Sequence, residues 1–356
     1  MKKTRLLLFI LAAICLVAGA SSYYAYRLYK LENENYKTVR IAESGLSAYK
    51  LPHYVALEKS MYREQKLKIK TISLNSEKEV LSALEKGDAD VGVVSPTSLV
   101  YKKSSDLKES TCPVAFAGID RGATYHLVAR ENAPLLDVSS IKNKVIITGP
   151  PESEDTVFLE KVLRDNGLKP YENVTIITNI PDNIKMGALK SGAANYLILE
   201  DVSLPEALSR GLFKAKSFKT EFPAFIFVAR EEYVKQNSEV LQGITDALYM
   251  AQLWLKYHTP AETANTLKKM RGFDKKYFPE LIENCYSNEN LGISPILEKN
   301  SMEAVVKMLE QSREIPMPVK ADEIINTDFA RKSLATVNYI PDDKKEKTGL
   351  QRFKFW

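Results

Sequence analysis

The sequence predicts an α/β protein with two lobes of the same architecture, each a mainly parallel sheet flanked by helices. From Thr38 onward, short apolar runs alternate with amphipathic stretches, which is typical of a parallel sheet with helical crossovers. The order strand, helix, strand, helix, strand occurs in residues 38–123 and again in residues 131–222. With 45% hydrophobic and 27% charged residues, the 356-residue chain has the composition of a folded globular protein.

The first unit contains four short apolar runs with clear helix signals between them. Strands are predicted at Thr38–Ala42, Lys66–Leu74, Ala89–Val94 and Val114–Ala117. A helix is predicted over Leu51–Met61, where Pro52 falls in the first turn and its missing N–H costs nothing. A second helix is predicted between Ser76 and Gly87, because Ser76 and Glu79 have the spacing of a capping box and Gly87 can end the helix.

The second unit repeats this pattern, and the last third of the chain is predicted to be helical. Strands are predicted at Val145–Thr148, Val174–Thr178 and Tyr196–Leu199, with helices over residues 153–166 and 184–190. Between Leu241 and Leu255, apolar residues recur at spacings of three and four, so they line one helix face. Thr259 and Glu262 form a further capping box, and Ser301–Gln311 is another amphipathic helix.

Two β-rich segments, Thr124–Arg130 and Ala224–Arg230, occur where the chain must cross between the two units. We expect them to act as paired hinge strands. The predicted organisation is lobe 1 over residues 38–123, a hinge strand at 124–130, lobe 2 over 131–222 and a return hinge strand at 223–230. Residues 231–340 then form the helical part of lobe 1, and residues 341–356 form a charged tail.

The first 30 residues have the layout of an export signal. Lys2, Lys3 and Arg5 precede an uncharged run from Leu6 to Ala20, and Ala18-Gly19-Ala20 matches a small-x-small cleavage pattern. The alternative is an uncleaved membrane anchor, extended to Arg27 by interfacial tyrosines. Both alternatives predict that the rest of the chain is extracytoplasmic, either secreted or bound to the outer face of the membrane.

Cysteine, histidine and charge usage narrow the class of protein. Cys112 and Cys285 are far apart in sequence, which favours buried free thiols over a disulfide framework. The histidines His53, His126 and His258 lack partners at metal-ligand spacing, so no metal site is predicted. The net charge is only +5, and Lys and Glu alternate along the predicted helices, so the sequence predicts no basic surface for binding nucleic acid.

The order of segments resembles the nitrate/sulfonate/taurine and thiamine-precursor branch of ABC-importer solute-binding proteins. The resemblance covers residues 39–334 and lies in Leu51-Pro52-His53-Tyr54-Val55-Ala56, in Leu84–Asp90 leading to Ser95-Pro96, and in Ala224–Arg230 before Tyr233-Val234. The family's Trp-Glu-Pro stretch is matched loosely, because Leu199 replaces the Trp and only Glu200 agrees.

The resemblance implies a type II periplasmic-binding-protein fold, with a small organic ligand held in a cleft between the lobes. It also implies an ABC permease and an ATPase as partners. Open α/β sheets bind ligands at the carboxyl ends of their strands. The loops there supply the candidate ligand-binding residues, which are Leu46, Tyr49, Ser76, Ser95, Thr97, Asp120, Ala123, Ser153, Asp155 and Glu200.

Two predicted helix starts facing this cleft differ in charge. Ser95–Ser98 has hydroxyl groups and no acid, which would suit an anionic group at a helix N-terminus. Glu152–Asp155 is rich in acids, which would attract an amine or another donor. This asymmetry predicts a sulfonate- or taurine-like zwitterion or an amine-bearing heterocycle, although capping explains both patterns equally well.

Two other functions remain open at this stage. One is a ligand-sensing module tethered to the membrane by its N-terminus. The other is an enzyme like the thiamine-pyrimidine synthases on the same fold, whose cysteine-rich motif is absent from this sequence. Because no G-x-S-x-G, H-E-x-x-H or P-loop motif occurs either, we expect a binding protein with no enzymatic activity and no cofactor.

Overall fold

The computed structural model describes residues 19, 21–23, 36–105, 112–132, 136–270 and 276–341. Most of the predicted leader and nearly all of the charged tail lie outside these residues, so both stay predictions. No helix within the described ranges is long and apolar enough to span a bilayer.

The described chain contains ten strands, which form two five-stranded sheets. The strands are β1 Lys37–Ser44, β2 Leu67–Leu74, β3 Val91–Val94, β4 Pro113–Gly118, β5 Thr124–Ala129, β6 Val145–Ile147, β7 Thr175–Ile177, β8 Tyr196–Glu200, β9 Phe213–Lys219 and β10 Ile226–Arg230. The first sheet has the order β2-β1-β3-β10-β4, and the second has the order β7-β6-β8-β5-β9.

The two sheets share one topology. In the first sheet β1 pairs in parallel with β2 and β3, whereas β10 is antiparallel to both of its neighbours. In the second sheet β6 pairs in parallel with β7 and β8, whereas β5 is antiparallel to both of its neighbours. The predicted fold of two similar, mainly parallel lobes is therefore confirmed.

The antiparallel strand of each sheet is one of the two predicted hinge segments. The segment β5 follows β4 of the first sheet and enters the second, and β10 follows β9 of the second sheet and enters the first. The chain therefore crosses between the sheets at residues 119–123 and 220–225, directly before β5 and β10. The lobe boundaries and the hinge movement stay predictions.

Helices cover both sheets and form most of the last third, as predicted. They are α1 Leu51–Glu58, α2 Met61–Glu64, α3 Glu77–Lys86, α4 Pro96–Ser105, α5 Glu154–Asp165, α6 Asp182–Ser191, α7 Leu204–Ser209, α8 Glu231–Gln236, α9 Ser238–Tyr257, α10 Pro260–Leu267, α11 Phe278–Ser287, α12 Lys299–Gln311 and α13 Asp328–Thr336.

Local signals explain the ends of several helices. The side chain of Ser76 accepts the N–H of Glu79, and Gly87 ends α3 in the left-handed conformation. The predicted helix over Leu51–Met61 is divided into α1 and α2, because Ser60 has a φ of 60° and interrupts the helical path.

The buried core agrees with the predicted thiol chemistry. Cys112 and Cys285 are both buried, and they form no disulfide with each other. They contribute as small apolar side chains, which confirms the interpretation that they form no disulfide with each other.

Candidate functional site

A cavity of about 640 Å³ lies at the carboxyl-terminal edge of the second sheet. The loops after β6 and β8, the starts of α5 and α6, and α7 surround it. Its described lining is Tyr125, Glu154, Asp155, Asp182, Asn183, Lys185, Met186, Ile198, Leu199, Glu200, Ser203, Glu206 and Arg210. This is the edge at which open α/β sheets bind ligands.

The cavity is acidic. Its described lining contains five carboxyl groups and two basic groups. Both basic groups are already ion-paired, since Lys185 lies 2.5 Å from Asp182 and Arg210 lies 2.6 Å from Glu206. The remaining three carboxyl groups, those of Glu154, Asp155 and Glu200, have no basic partner in the described lining.

Glu154, in the first turn of α5, joins the two lobes at the edge of the cavity. Its Oε1 accepts the hydroxyl of Tyr125 at 3.1 Å, and its Oε2 lies 3.0 Å from the hydroxyl of Thr97 in lobe 1. Burial, followed by repulsion from Glu77 and Glu200, raises the pKa of Glu154 to about 8. Sequence reasoning treated Glu154 only as part of an acidic turn and did not single it out.

Glu200 ends β8 and faces Tyr125 across the β5–β8 ladder. Burial, with further repulsion from Asp155 and Asp201, raises its pKa to about 7. The next residue, Asp201, is held in place because its carboxylate lies 2.8 Å from Nε2 of His126 on β5. The predicted residue Glu200 is therefore a cavity carboxyl on a well-fixed turn.

The start of α4 is not the acid-free site that the sequence predicted. Oε2 of Glu77, from α3, accepts both the backbone N–H of Ser95 at 2.9 Å and its hydroxyl at 2.7 Å. A carboxylate therefore accepts the donors of Ser95 beside this helix end, and the expected binding of an anion there stays a prediction. Glu77 lies 18 residues before Ser95, and no local sequence pattern connects them.

Asp155 lines the cavity, but most hydrogen bonds of its carboxylate are made to groups of its own loop and helix start. It accepts the N–H groups of Gly149 and Thr156, each at 2.9 Å, and contacts the hydroxyl of Ser153. Ser153 in turn donates to the carbonyl of Pro150 at 2.6 Å. These two predicted site residues therefore shape the loop before α5.

Asp120 and Ala123 lie in the crossing at residues 119–123, Tyr49 contacts Thr124 beside it, and all three are buried. The carboxylate of Asp120 accepts the N–H groups of Gly122, Ala224 and Phe225 at 2.7–2.8 Å, so it ties one crossing to the other. Two further hydrogen bonds stabilise this region. The hydroxyl of Tyr49 accepts the N–H of Thr124 at 2.9 Å, and the N–H of Ala123 donates to the hydroxyl of Thr220 at 2.9 Å. None of the three predicted residues is in the described lining of the cavity.

The two remaining predicted site residues, Leu46 and Ser76, also lie outside the described lining of the cavity. Leu46 is partly buried against the core, and Ser76 caps α3. Lys50, four residues after Leu46, is a fully buried basic residue that sequence reasoning missed. Its Nζ donates to the carbonyls of Ser44 at 2.6 Å and Gly45 at 2.9 Å, and desolvation lowers its pKa.

Comparison with known proteins identifies the family. The family described as NMT1/THI5 like matches residues 47–261, which is more than half of the chain. The chain belongs to the NMT1/THI5-like family. A protein of Bacillus subtilis (strain 168), YtlA, which carries the name of a binding protein, is 23% identical over 306 residues and covers 85% of this chain and 91% of its own.

Solved structures show the same fold as this member of the NMT1/THI5-like family. The periplasmic aliphatic sulphonate binding protein SsuA from Escherichia coli has a TM-score of 0.66 and 15% identity, covering 88% of this chain and 96% of its own. The periplasmic nitrate-binding protein NrtA from Synechocystis PCC 6803 has a TM-score of 0.64 and 14% identity, covering 87% and 91%. The resemblance drawn from the sequence is confirmed, and these relatives are periplasmic binding proteins.

Proposed function

We propose that this protein is the extracytoplasmic solute-binding component of an ABC importer, and that its solute presents a cationic or donor-rich group to Glu154 and Glu200. The acidic cavity carries this proposal. The half-buried carboxyl groups of Glu154 and Glu200, both with raised pKa values, line this cavity beside the ring of Tyr125. The two basic side chains of the described lining are ion-paired with other residues, Lys185 with Asp182 and Arg210 with Glu206.

The charge of the cavity separates the two ligand classes that the sequence left open. A sulfonate or nitrate group would meet carboxyl groups without a basic partner in the cavity, and Glu77 at the start of α4. An amine would instead favour the ionised forms of Glu154 and Glu200 and form charge-assisted hydrogen bonds with them. The proposal therefore favours an amine-bearing heterocycle over a sulfonate zwitterion.

The size and shape of the cavity support a small organic solute. Its volume of about 640 Å³ falls within the range of roughly 300–1,000 Å³ that is usual for small-molecule sites. Tyr125, whose ring lies 5.3 Å from that of Phe158, offers one flat aromatic wall. A permease and an ATPase as partners belong to the same proposal, since one solved structure of this fold is described as the periplasmic binding protein of a sulfonate ABC transporter.

Binding without catalysis fits the histidines better than a synthase-like reaction does. A synthase that consumes an active-site histidine needs that side chain beside its substrate. Here His53 and His126 are buried, and neither they nor His258 are in the described lining of the cavity. A membrane-tethered sensor would depend on the N-terminal segment, most of which lies outside the described residues.

A thermal-shift screen tests the function. Sulfonates, amino acids, polyamines and aminopyrimidines should be compared, because a ligand at 100 times its Kd raises the free energy of unfolding by about 2.7 kcal/mol. We expect stabilisation by amine-bearing compounds and none by simple sulfonates. Stabilisation by sulfonates alone would contradict the proposal.

Calorimetry on the best ligand then tests the site. Glu200→Gln should weaken binding by more than about tenfold, because a hydrogen bond to a charged group contributes about 1.5–3 kcal/mol. Glu152→Gln is the matched control, since Glu152 lies in the same acidic segment but is exposed. Equal affinity in the wild type and the Glu200 variant would place the ligand elsewhere.

A further inference from the structure

Lys185, near the start of α6, is the more buried of the two basic residues in the described lining of the cavity. Its side chain is 10% exposed, whereas the side chain of Arg210 is 52% exposed. A charged group that is largely removed from water needs hydrogen bonds to compensate for the hydration that it loses. The contacts of the Lys185 ammonium group therefore show what the cavity has to supply.

The described residues account for only part of these contacts. Nζ of Lys185 lies 2.5 Å from Oδ1 of Asp182, and this is the partner that the described part of the chain shows for it. An ammonium group carries three donor hydrogens, and this contact uses one of them. Lys185 therefore has donor capacity left on a side chain that lines a cavity of about 640 Å³, where water or a solute can accept it.

The ion pair with Asp182 does not depend on both partners equally. The side chain of Asp182 is 92% exposed, so water solvates its carboxylate. Asp182 is also the first residue of α6, where a negative charge is favourable at the helix N-terminus. Asp182 is therefore stable without Lys185, whereas the buried ammonium group of Lys185 gains from a further acceptor inside the cavity.

The charge of the lining decides which kind of acceptor fits. The carboxyl groups of Glu154, Asp155 and Glu200 have no basic partner in the described lining, and an anionic group placed beside Lys185 would also meet these three. A carbonyl oxygen accepts a charge-assisted hydrogen bond from an ammonium group without adding a negative charge. The lining therefore favours an uncharged acceptor over a carboxylate or a sulfonate.

We propose that Lys185 is a specificity-determining residue, which donates a hydrogen bond to a carbonyl oxygen of the solute while Glu154 and Glu200 accept from its amino group. The solute is then an amine-bearing ring that also carries a carbonyl group. This inference rests on the proposed function, because it assigns a second polar contact within the same cavity.

Calorimetry with two related rings tests the role of Lys185. The probes are 4-aminopyrimidine and cytosine, which is an aminopyrimidine with an added carbonyl oxygen. The wild type should bind cytosine at least about tenfold more tightly, because the added oxygen accepts a hydrogen bond from a charged donor. Lys185→Met removes the donor and should bring the two affinities within about threefold of each other, with folding checked by circular dichroism.

Two further variants separate a direct contact from a structural role. Asp182→Asn removes the ion pair but leaves the ammonium group of Lys185 in place, so it should keep the preference for cytosine. Lys185→Arg retains a charged donor and should keep most of this preference. Lys161→Met is the matched control, because Lys161 is likewise ion-paired, 2.6 Å from Asp165 on α5, but is not in the described lining.

Each unfavourable result has its own meaning. Equal wild-type affinities for the two rings would overturn this inference but leave the recognition of an amine intact, and this comparison does not require any variant to fold. Loss of the preference in Asp182→Asn as well as in Lys185→Met would also overturn it, since Lys185 would then act only through the ion pair. If neither ring binds to the wild type, the proposed function is wrong and the role of Lys185 falls with it.

Discussion

Replacement of Asp120 should destabilise the protein strongly, because this carboxylate holds the two crossings together. It is 4% exposed and accepts three backbone N–H groups. Those of Gly122 and Ala224 bond to Oδ1, and that of Phe225 bonds to Oδ2. In Asp120→Ala all three N–H groups would lose their acceptor in a buried setting.

The expected cost follows from these bonds. A buried donor left without a partner costs about 1–3 kcal/mol, so Asp120→Ala should lower the free energy of unfolding by about 4 kcal/mol. Asp120→Asn keeps the oxygen that serves Gly122 and Ala224 but turns an NH₂ group toward the N–H of Phe225. It should therefore cost less, about 2 kcal/mol.

Urea unfolding followed by circular dichroism measures both variants. Asp88→Asn is the matched control, because Asp88 is exposed and its replacement should change stability by less than about 0.5 kcal/mol. Wild-type stability in both Asp120 variants would refute the structural role given to this carboxylate. It would also return Asp120 to the group of candidate ligand residues.

The remaining predictions concern pH and backbone conformation. Folding raises the pKa values of Glu154 to about 8 and Glu200 to about 7, so the folded state binds more protons than the unfolded state above about pH 4.3. The melting temperature should therefore fall as the pH rises from 5 to 8, and a rise would contradict these assignments. Gly122→Ala should destabilise the protein by more than about 1 kcal/mol, since Gly122 has a φ of +135° and a Cβ would lie 2.7 Å from the carbonyl oxygen of Thr220. Gly187→Ala, in the exposed middle of α6 with no atom within 4 Å of the new Cβ, should instead stabilise it by about 0.5–1 kcal/mol, as thermal unfolding of both variants will show.

Most of the fold could be predicted because its signals are local. The capping box at Ser76, the glycine stops and the apolar strands all lie within a few residues of the elements they define. The missed strand β9 shows the limit of this reasoning. It pairs only with β5 at the edge of its sheet, and its lysines alternate with less polar residues, so it has no continuous apolar run.

The candidate site was predictable only in its general position. The strand ends lead to Glu200 and to the first turn of α5, which line one cavity because parallel strands bring their carboxyl ends together. The roles of individual side chains depended on contacts between distant segments. Glu77 caps Ser95 across 18 residues, and Asp120 accepts N–H groups more than 100 residues away, which no local pattern reveals.

The central claim is that the acidic cavity binds donor-rich solutes. Calorimetry with two ligands that differ in one group tests it most directly. An aminopyrimidine and the same pyrimidine without its amino group should be titrated into the wild-type protein at neutral pH. Loss of the amino group should weaken binding by at least about tenfold, since Glu154 and Glu200 would then lose the hydrogen bonds from the ligand. Equal affinities for the two rings, or tighter binding of an aliphatic sulfonate than of either ring, would contradict the proposed recognition of a donor-rich solute.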